Sequence, residues 1–160
     1  MKHWPAVMVI VVDAVAWLCI HMGISYACSR YSQAYFRRDG WLYRERLWER
    51  KGRLYEKLGI RRWKRFAPDA GGLFRDGFRK RRLHGQDTAY LQSFLAETKR
   101  AELAHWLCIP PALLFFLWNK ADVGVVMVMY AFAFNLPFIF IQRYNRIRLQ
   151  RLLGRTRQDL

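Results

Sequence analysis

Residues 103–141, LAHWLCIPPALLFFLWNKADVGVVMVMYAFAFNLPFIFI, decide the fold. Two apolar runs, Leu103–Trp118 and Ala121–Ile141, are separated only by Asn119-Lys120. A helix needs about 20 apolar residues to cross a hydrocarbon core ~30 Å thick. The second run meets that length by itself. The first is short, but its helical pattern continues backward through Leu95, Phe94, Leu91 and Tyr90. A two-residue connection leaves no room for anything but a tight antiparallel helical hairpin.

Working outward, a third apolar run lies near the N-terminus, Pro5–Ala27, PAVMVIVVDAVAWLCIHMGISYA. A lipoprotein-like cleavage site at Ser25-Tyr26-Ala27-Cys28 competes with a retained helix. Ser25 stands where such sites favour Leu, and Asp13 interrupts the would-be hydrophobic region, so a retained helix is expected. Residues 28–101 hold twenty of the Lys and Arg, and the segment from Arg143 holds six more. Positive charge is retained on the cytoplasmic side, which predicts an N-terminus outside and a C-terminus inside. The expected architecture is an all-α integral membrane protein with three transmembrane helices, in one domain over 1–160. Its segments are a first helix at 5–27, a basic cytoplasmic interfacial region at 28–89, and a second helix at 90–118 with a cytoplasmic extension. A third helix at 121–142 and a basic cytoplasmic tail at 143–160 complete it. A bacterial-type inner or plasma membrane, crossed several times, is the expected location.

Lys+Arg number 28 against Asp+Glu 12, a formal net charge of +16. Such a balance points to nucleic acid or to an anionic membrane surface. The basic residues alternate with hydrophobic segments, and 16% of the chain is aromatic with seven Trp, as suits a bilayer interface. The lipid surface is therefore the expected partner and nucleic acid is not. Cys19, Cys28 and Cys108 show no CxxC or His/Cys ligand spacing, so no metal site is expected. In the middle, Tyr43, Leu47, Leu54 and Leu58 fall on one helical stripe with Trp48 and Tyr55 beside it. Arg44, Arg46, Arg50, Lys51 and Arg53 occupy much of the rest. This predicts an amphipathic interfacial helix over 41–58, weakened by Gly52, since Gly costs about 1 kcal/mol relative to Ala. Pro68-Asp69-Ala70-Gly71-Gly72 predicts a turn or loop, and Arg79-Lys80-Arg81-Arg82 a headgroup-facing run.

Two polar clusters flank the hairpin. Glu97-Thr98-Lys99-Arg100-Ala101-Glu102-Leu103-Ala104-His105-Trp106 leads into the second helix, and Gln142-Arg143-Tyr144-Asn145-Arg146-Ile147-Arg148 closes the third. With the turn centred between 120 and 121, facing positions sum to about 241, apart from shifts at the kinks that Pro110-Pro111 and Pro137 introduce. Glu97 then lies level with Tyr144, Arg100 with Ile141 and Gln142, and His105 with Leu136 and Asn135. An ionisable residue inside a membrane segment costs a few kcal/mol, about 2.5–3.5 on insertion scales, and marks a functional site by default. Glu102 and His105, three apart, share a helix face. A carboxylate there holds the imidazole tautomer, as a general base acting on a hydroxyl requires. Arg143, Arg146 and Arg148 are planar cations suited to phosphate or carboxylate groups, although Arg148 also reads as a positive-inside flank; Arg100 and Arg143, with Arg146 assisting, would hold an anionic donor such as acyl-CoA. Asn135 or Tyr144 would polarise the thioester carbonyl. Glu97 is expected to pair with Arg143 or Arg146. Asn135 has a second reading, satisfying carbonyls freed at Pro137, and Asp13 and His21 are as compatible with helix packing as with chemistry. The composite reading is acyl transfer to a lipid hydroxyl with no cofactor beyond the acyl-CoA co-substrate. Its rival is a non-catalytic membrane protein that binds lipid or scaffolds a pathway, and a sensor of anionic lipid is a third reading.

At these motifs the chain resembles the CrtO-type glycosyl-4,4'-diaponeurosporenoate acyltransferases, small membrane proteins of staphyloxanthin-type carotenoid synthesis. The resemblance rests on Glu97–Leu103 with His105-Trp106, and on Asn135 and Pro137 followed by Gln142–Arg146 and Arg148-Leu149. Weaker likeness covers Tyr35-Phe36-Arg37, residues 49–52 and Trp63-Lys64, so it runs from about Tyr35 to Leu153. Asp13 lies outside it. The resemblance implies an acyltransferase esterifying the sugar of a glycosylated carotenoid acid. With the polar cluster, it adds Gln142, Asn145, Trp63 and Lys64 to the expected substrate-binding residues. A homodimer that completes a lipid groove, or pathway enzymes, are the expected protein partners.

Overall fold

The computed structural model describes residues 5–64 and 88–156, the side chains of 155 and 156 excepted. The expected loop at Pro68–Gly72 and the basic run at Arg79–Arg82 lie outside the described residues. Three long helices dominate: α1 (Ala6–Arg30), α5 (Thr88–Leu107), which a 3-10 segment at Pro110–Leu117 extends, and α6 (Ala121–Thr156). By length and composition, Ala6–Arg30, Thr88–Leu117 and Ala121–Gly154 are each able to cross a membrane. Short helices lie between the first two: α2 (Gln33–Arg37), α3 (Arg53–Lys57), α4 (Ile60–Trp63), and 3-10 turns at Trp41–Tyr43 and Leu47–Gly52. There is no strand among the described residues.

Side-chain contacts fix the order of the bundle. Asp13 meets Trp118 and Asn119, Trp17 stacks on Phe115, and the carbonyl of Tyr31 accepts from Arg100. So α1 runs antiparallel to α5. Trp17 also meets Met127, and His21 meets Phe134, which makes α1 parallel to α6. The turn end of the bundle is apolar and the opposite end is polar. Lipid tails are as apolar as Leu, so the turn-end contacts rest on close van der Waals packing, which small residues permit. Ala112 and Ala131 are buried in one cluster with Trp17 and Phe115. Gly124 shows the same need most sharply, since a Cβ there would stand 2.5 Å from the Phe116 ring.

Prolines set the breaks. Pro110 and Pro111 lack the N–H groups that would continue α5, and the chain tightens into the 3-10 segment, where Pro at the first positions is tolerated. Pro137 sits inside α6, yet the helix passes through it and does not stop at 142; the basic residues from Arg143 to Arg151 are helical.

The middle segment is not one amphipathic helix. Arg50 and Lys51 have φ of 47° and 58°, and Gly52 and Gly59 have φ of 85° and 69°. These left-handed residues fold 41–63 back into short turns. The apolar residues divide accordingly. Leu47 and Leu58 are exposed, while Tyr55 and Ile60 pack with Ile141, Tyr144 and Ile147 of α6. Glu49, in the same segment, is fully buried and bonded to Tyr55 and to Arg143 of α6.

Candidate active site

At the polar end, four charged side chains interlock between the folded-back segment and the hairpin. Glu49 is fully buried. Its carboxylate accepts the backbone N–H of Arg46 at 2.5 Å and the Tyr55 hydroxyl at 2.6 Å. It also accepts Nε of Arg143 at 2.9 Å. Burial alone would raise the Glu49 carboxyl, but the hydrogen bonds from Arg143, Tyr55 and the Arg46 amide prevail and hold it below the usual carboxylate range. The Tyr55 phenol is pushed upward by burial and by its bond to that carboxylate. Glu102, also fully buried, accepts Nε of Arg146 at 3.1 Å and lies 3.7 Å from Arg143. Arg146 further donates to the Tyr43 carbonyl. Two carboxylates against two guanidiniums leave the network neutral, and charges removed from water require that matching.

This corrects the expected role of Glu102. The arginines take its carboxylate, and another residue orients His105. The Nδ1 of His105 lies 3.0 Å from Oδ1 of Asn135, which is fully buried. The other end of the Asn135 amide settles the proton. Its Nδ2 donates to the Ala131 carbonyl at 2.9 Å, and a carbonyl can only accept. Oδ1 therefore faces the imidazole and Nδ1 carries a proton, so that in a neutral ring Nε2 holds the lone pair. The ring lies parallel to Phe138, 4.8 Å between centroids and 6° between planes. Asn135 thus has a use other than repairing the Pro137 kink, which frees the carbonyl four residues earlier, at Ala133.

The remaining expected site residues fall around this core. Glu97 pairs with Arg100 at 2.7 Å, within its own helix, where pairing with Arg143 or Arg146 was expected. Arg100, Arg143 and Arg146, expected to hold an anionic donor, all have carboxylate partners of their own. Tyr144 accepts from Arg61 at 3.0 Å and donates to Glu56 at 3.1 Å. Asn145 accepts from Lys64 at 3.3 Å. Trp63 packs on the Tyr55–Tyr144–Ile147 cluster and donates to the Leu58 carbonyl. Gln142 is half-buried on α6, one turn beyond Phe138. Sequence reasoning missed Glu49 as a partner of Arg143. The available signal was an acid three residues after Arg46, in a segment otherwise dense in arginine.

At the apolar end, Asp13 is buried and accepts Trp118 Nε1 at 2.7 Å and Asn119 Nδ2 at 2.9 Å, so it ties α1 to the turn of the hairpin. Beside it, a cavity of about 1230 Å³ opens between α1 and α6, lined by Ile10, Asp13, Trp17, His21, Met127 and Tyr130 among others. Tyr130, Phe134 and Phe138 follow one another along α6 with centroids 5.7 Å and 5.6 Å apart. This aromatic row joins the cavity to His105.

The family model described as glycosyl-4,4'-diaponeurosporenoate acyltransferase (CrtO) matches residues 39–155, which include Glu49, Glu102, His105, Asn135, Arg143 and Arg146. The chain is 34% identical over 140 residues to proteins named glycosyl-4,4'-diaponeurosporenoate acyltransferase from Staphylococcus aureus strains RF122 / ET3-1, N315 and USA300. Each alignment covers 86% of this chain and 83% of the relative. No solved structure matches significantly. Three apolar helices with a buried polar centre at one end, and relatives of this name, define a small helical acyltransferase of the membrane type. The chain belongs to the CrtO family of glycosyl-4,4'-diaponeurosporenoate acyltransferases.

Proposed function

We propose that this enzyme moves a fatty acyl group from acyl-CoA to a sugar hydroxyl of a glycosylated isoprenoid of the diaponeurosporenoate type, with His105 as general base. The observation that supports the reading is the His105–Asn135 pair at the polar end of the bundle, in which the Asn135 oxygen fixes a proton on Nδ1 and so assigns the lone pair of the neutral ring to Nε2. Nε2 takes the hydroxyl proton as the oxygen attacks the thioester carbonyl. The C–S bond breaks, and the proton passes to the departing thiolate. Asn135 fixes the tautomer and the ring plane, and Phe138 supports the ring face. The Glu49–Arg143–Glu102–Arg146 network is the frame that fixes α5 against α6 at that depth.

The acceptor's apolar chain lies along Phe138, Phe134 and Tyr130 into the cavity beside α1, whose aromatic lining suits a flat, unsaturated chain. From Phe138 back to Ala121 at the start of α6 this lane is about 26 Å long at 1.5 Å per residue. The enzyme spans a bacterial plasma membrane three times, with the N-terminus outside and the basic loop and C-terminal segment in the cytoplasm, where acyl-CoA is available. Excess Lys and Arg at the polar end supports that orientation.

The test is transfer of labelled acyl groups from acyl-CoA to a glycosylated polyene by the purified protein in detergent. His105→Ala should lower kcat by about 10²–10⁴-fold, the range of general-base catalysis, with the thermal midpoint kept. Turnover near wild type in His105→Ala would overturn the mechanism, and absence of any ester product from the wild type would overturn the function.

A further inference from the structure

The cations of the polar end are not all matched. Arg143, Arg146, Arg100 and Lys99 each have a carboxylate: Glu49, Glu102, Glu97 and Asp39. Many exposed cations have no described carboxylate partner, but the half-buried Lys64 has none either, and it stands by the Tyr144 ring with Arg148 and Arg61. Lys64 Nζ stands 5.2 Å from the ring centroid, and the Arg148 guanidinium 5.7 Å. Arg61 reaches the phenol oxygen, and Glu56, the one carboxylate in the group, is within 2.5 Å of Arg61. No described carboxylate pairs with Lys64 or Arg148. Lys64 is also half-buried, and its only described hydrogen bond is to the neutral Asn145 amide. Burial first, then repulsion from Arg148 and Arg61, pushes its ammonium below the ordinary lysine value.

The fold matches its buried cations with carboxylates elsewhere, yet here the half-buried Lys64, at the end of α4, faces two exposed like charges, Arg148 of α6 and Arg61 of α4. Electrostatic cost concentrated at one place marks a binding function. A dianionic group set among Lys64, Arg148 and Arg61 removes that cost. Arg148 brings a planar fork for two phosphate oxygens, and Lys64 brings a point charge.

We infer that Lys64 and Arg148, gathered with Arg61 round Tyr144, form a phosphate-binding site that takes the phosphorylated handle of the acyl donor. This rests on the acyl-transfer reading and moves donor recognition from Arg100, Arg143 and Arg146 to this cluster. The same chemistry would accept the phosphate of a phospholipid headgroup, so the test separates the two sources.

The full chain is purified in neutral detergent, and coenzyme A binding is measured by equilibrium dialysis for the wild type, Lys64→Met and Arg148→Gln. Binding to phosphatidylglycerol vesicles against phosphatidylcholine vesicles is measured beside it. The expected result is a tenfold or greater loss of coenzyme A affinity in either variant, with vesicle binding retained. The thermal midpoint of ligand-free Lys64→Met should stay level or rise, because a repelled, half-buried charge has been removed. Three results would each overturn the inference: unchanged coenzyme A affinity, loss confined to phosphatidylglycerol binding, or a lowered ligand-free midpoint in Lys64→Met. Failure here is distinct from failure of the acyl-transfer reading. If the wild type makes ester and the variants keep its KM for acyl-CoA, the site is wrong and the enzyme stands. If coenzyme A binds as expected but no ester forms, the site stands and the proposed reaction does not.

Discussion

The two ends of the bundle hold buried carboxylates in opposite ways. At the polar end Glu49 and Glu102 are held by guanidiniums, with two charges of each sign and a phenol closing the set. At the apolar end Asp13 is held by two neutral donors, an indole and an amide. Ionic matching at the polar end makes a rigid frame in which His105 and Asn135 are placed. The apolar end also holds the cavity of about 1230 Å³ between α1 and α6. One end is built for geometry, the other for room.

The contrast breaks most visibly at Glu102. Glu102→Ala leaves Arg146 and Arg143 short of a partner, and removing one member of a buried pair costs about 3–5 kcal/mol. Thermal unfolding in detergent should show a large fall in midpoint, and Glu102→Leu combined with Arg146→Met should recover much of it. If the single change proves neutral, the frame is not ionic. A smaller effect is expected in the cavity. Val126→Trp fills space at its wall and should shift the product distribution toward shorter acceptors, by about tenfold, equal to 1.4 kcal/mol. Mass spectrometry of the esters reads it, and an unaltered acceptor preference with a changed acyl preference would place the donor's chain there instead. The smallest effect concerns pH. The folded-state value of Glu49 lies below its unfolded value, so its stabilising contribution is present above the usual carboxylate range and is lost as pH falls through the depressed value. Midpoints measured from neutral to acid pH should decline at the acid end, and Glu49→Gln should start lower and decline less.

The three long helices and the hairpin were legible because apolar length and a two-residue connection admit few other folds. The convergence of the two polar clusters was legible for the same reason, and His105 does meet Asn135 as the facing register implies. The choice of partners was not. Glu102 and His105 share a helix face, but α6 crosses that face with Asn135 and Phe138 opposite one residue and Arg143 and Arg146 opposite the other. Spacing within one helix carries no information about that. Nor does the stripe of apolar residues in 41–58 reveal that Arg50 and Lys51 adopt left-handed backbone, a conformation non-glycine residues enter only when tertiary contacts compensate. The buried Glu49 supplies those contacts from a distance of more than ninety residues, through Arg143.

The central claim is that Asn135 holds His105 as a neutral base with its proton on Nδ1. ¹⁵N shifts of the His105 ring, in labelled protein at neutral pH, test it directly. The account predicts a protonated Nδ1 and an unprotonated Nε2 in the wild type, and loss of that single tautomer in Asn135→Ala. A ring protonated on Nε2, or an imidazolium with both nitrogens protonated, would contradict it.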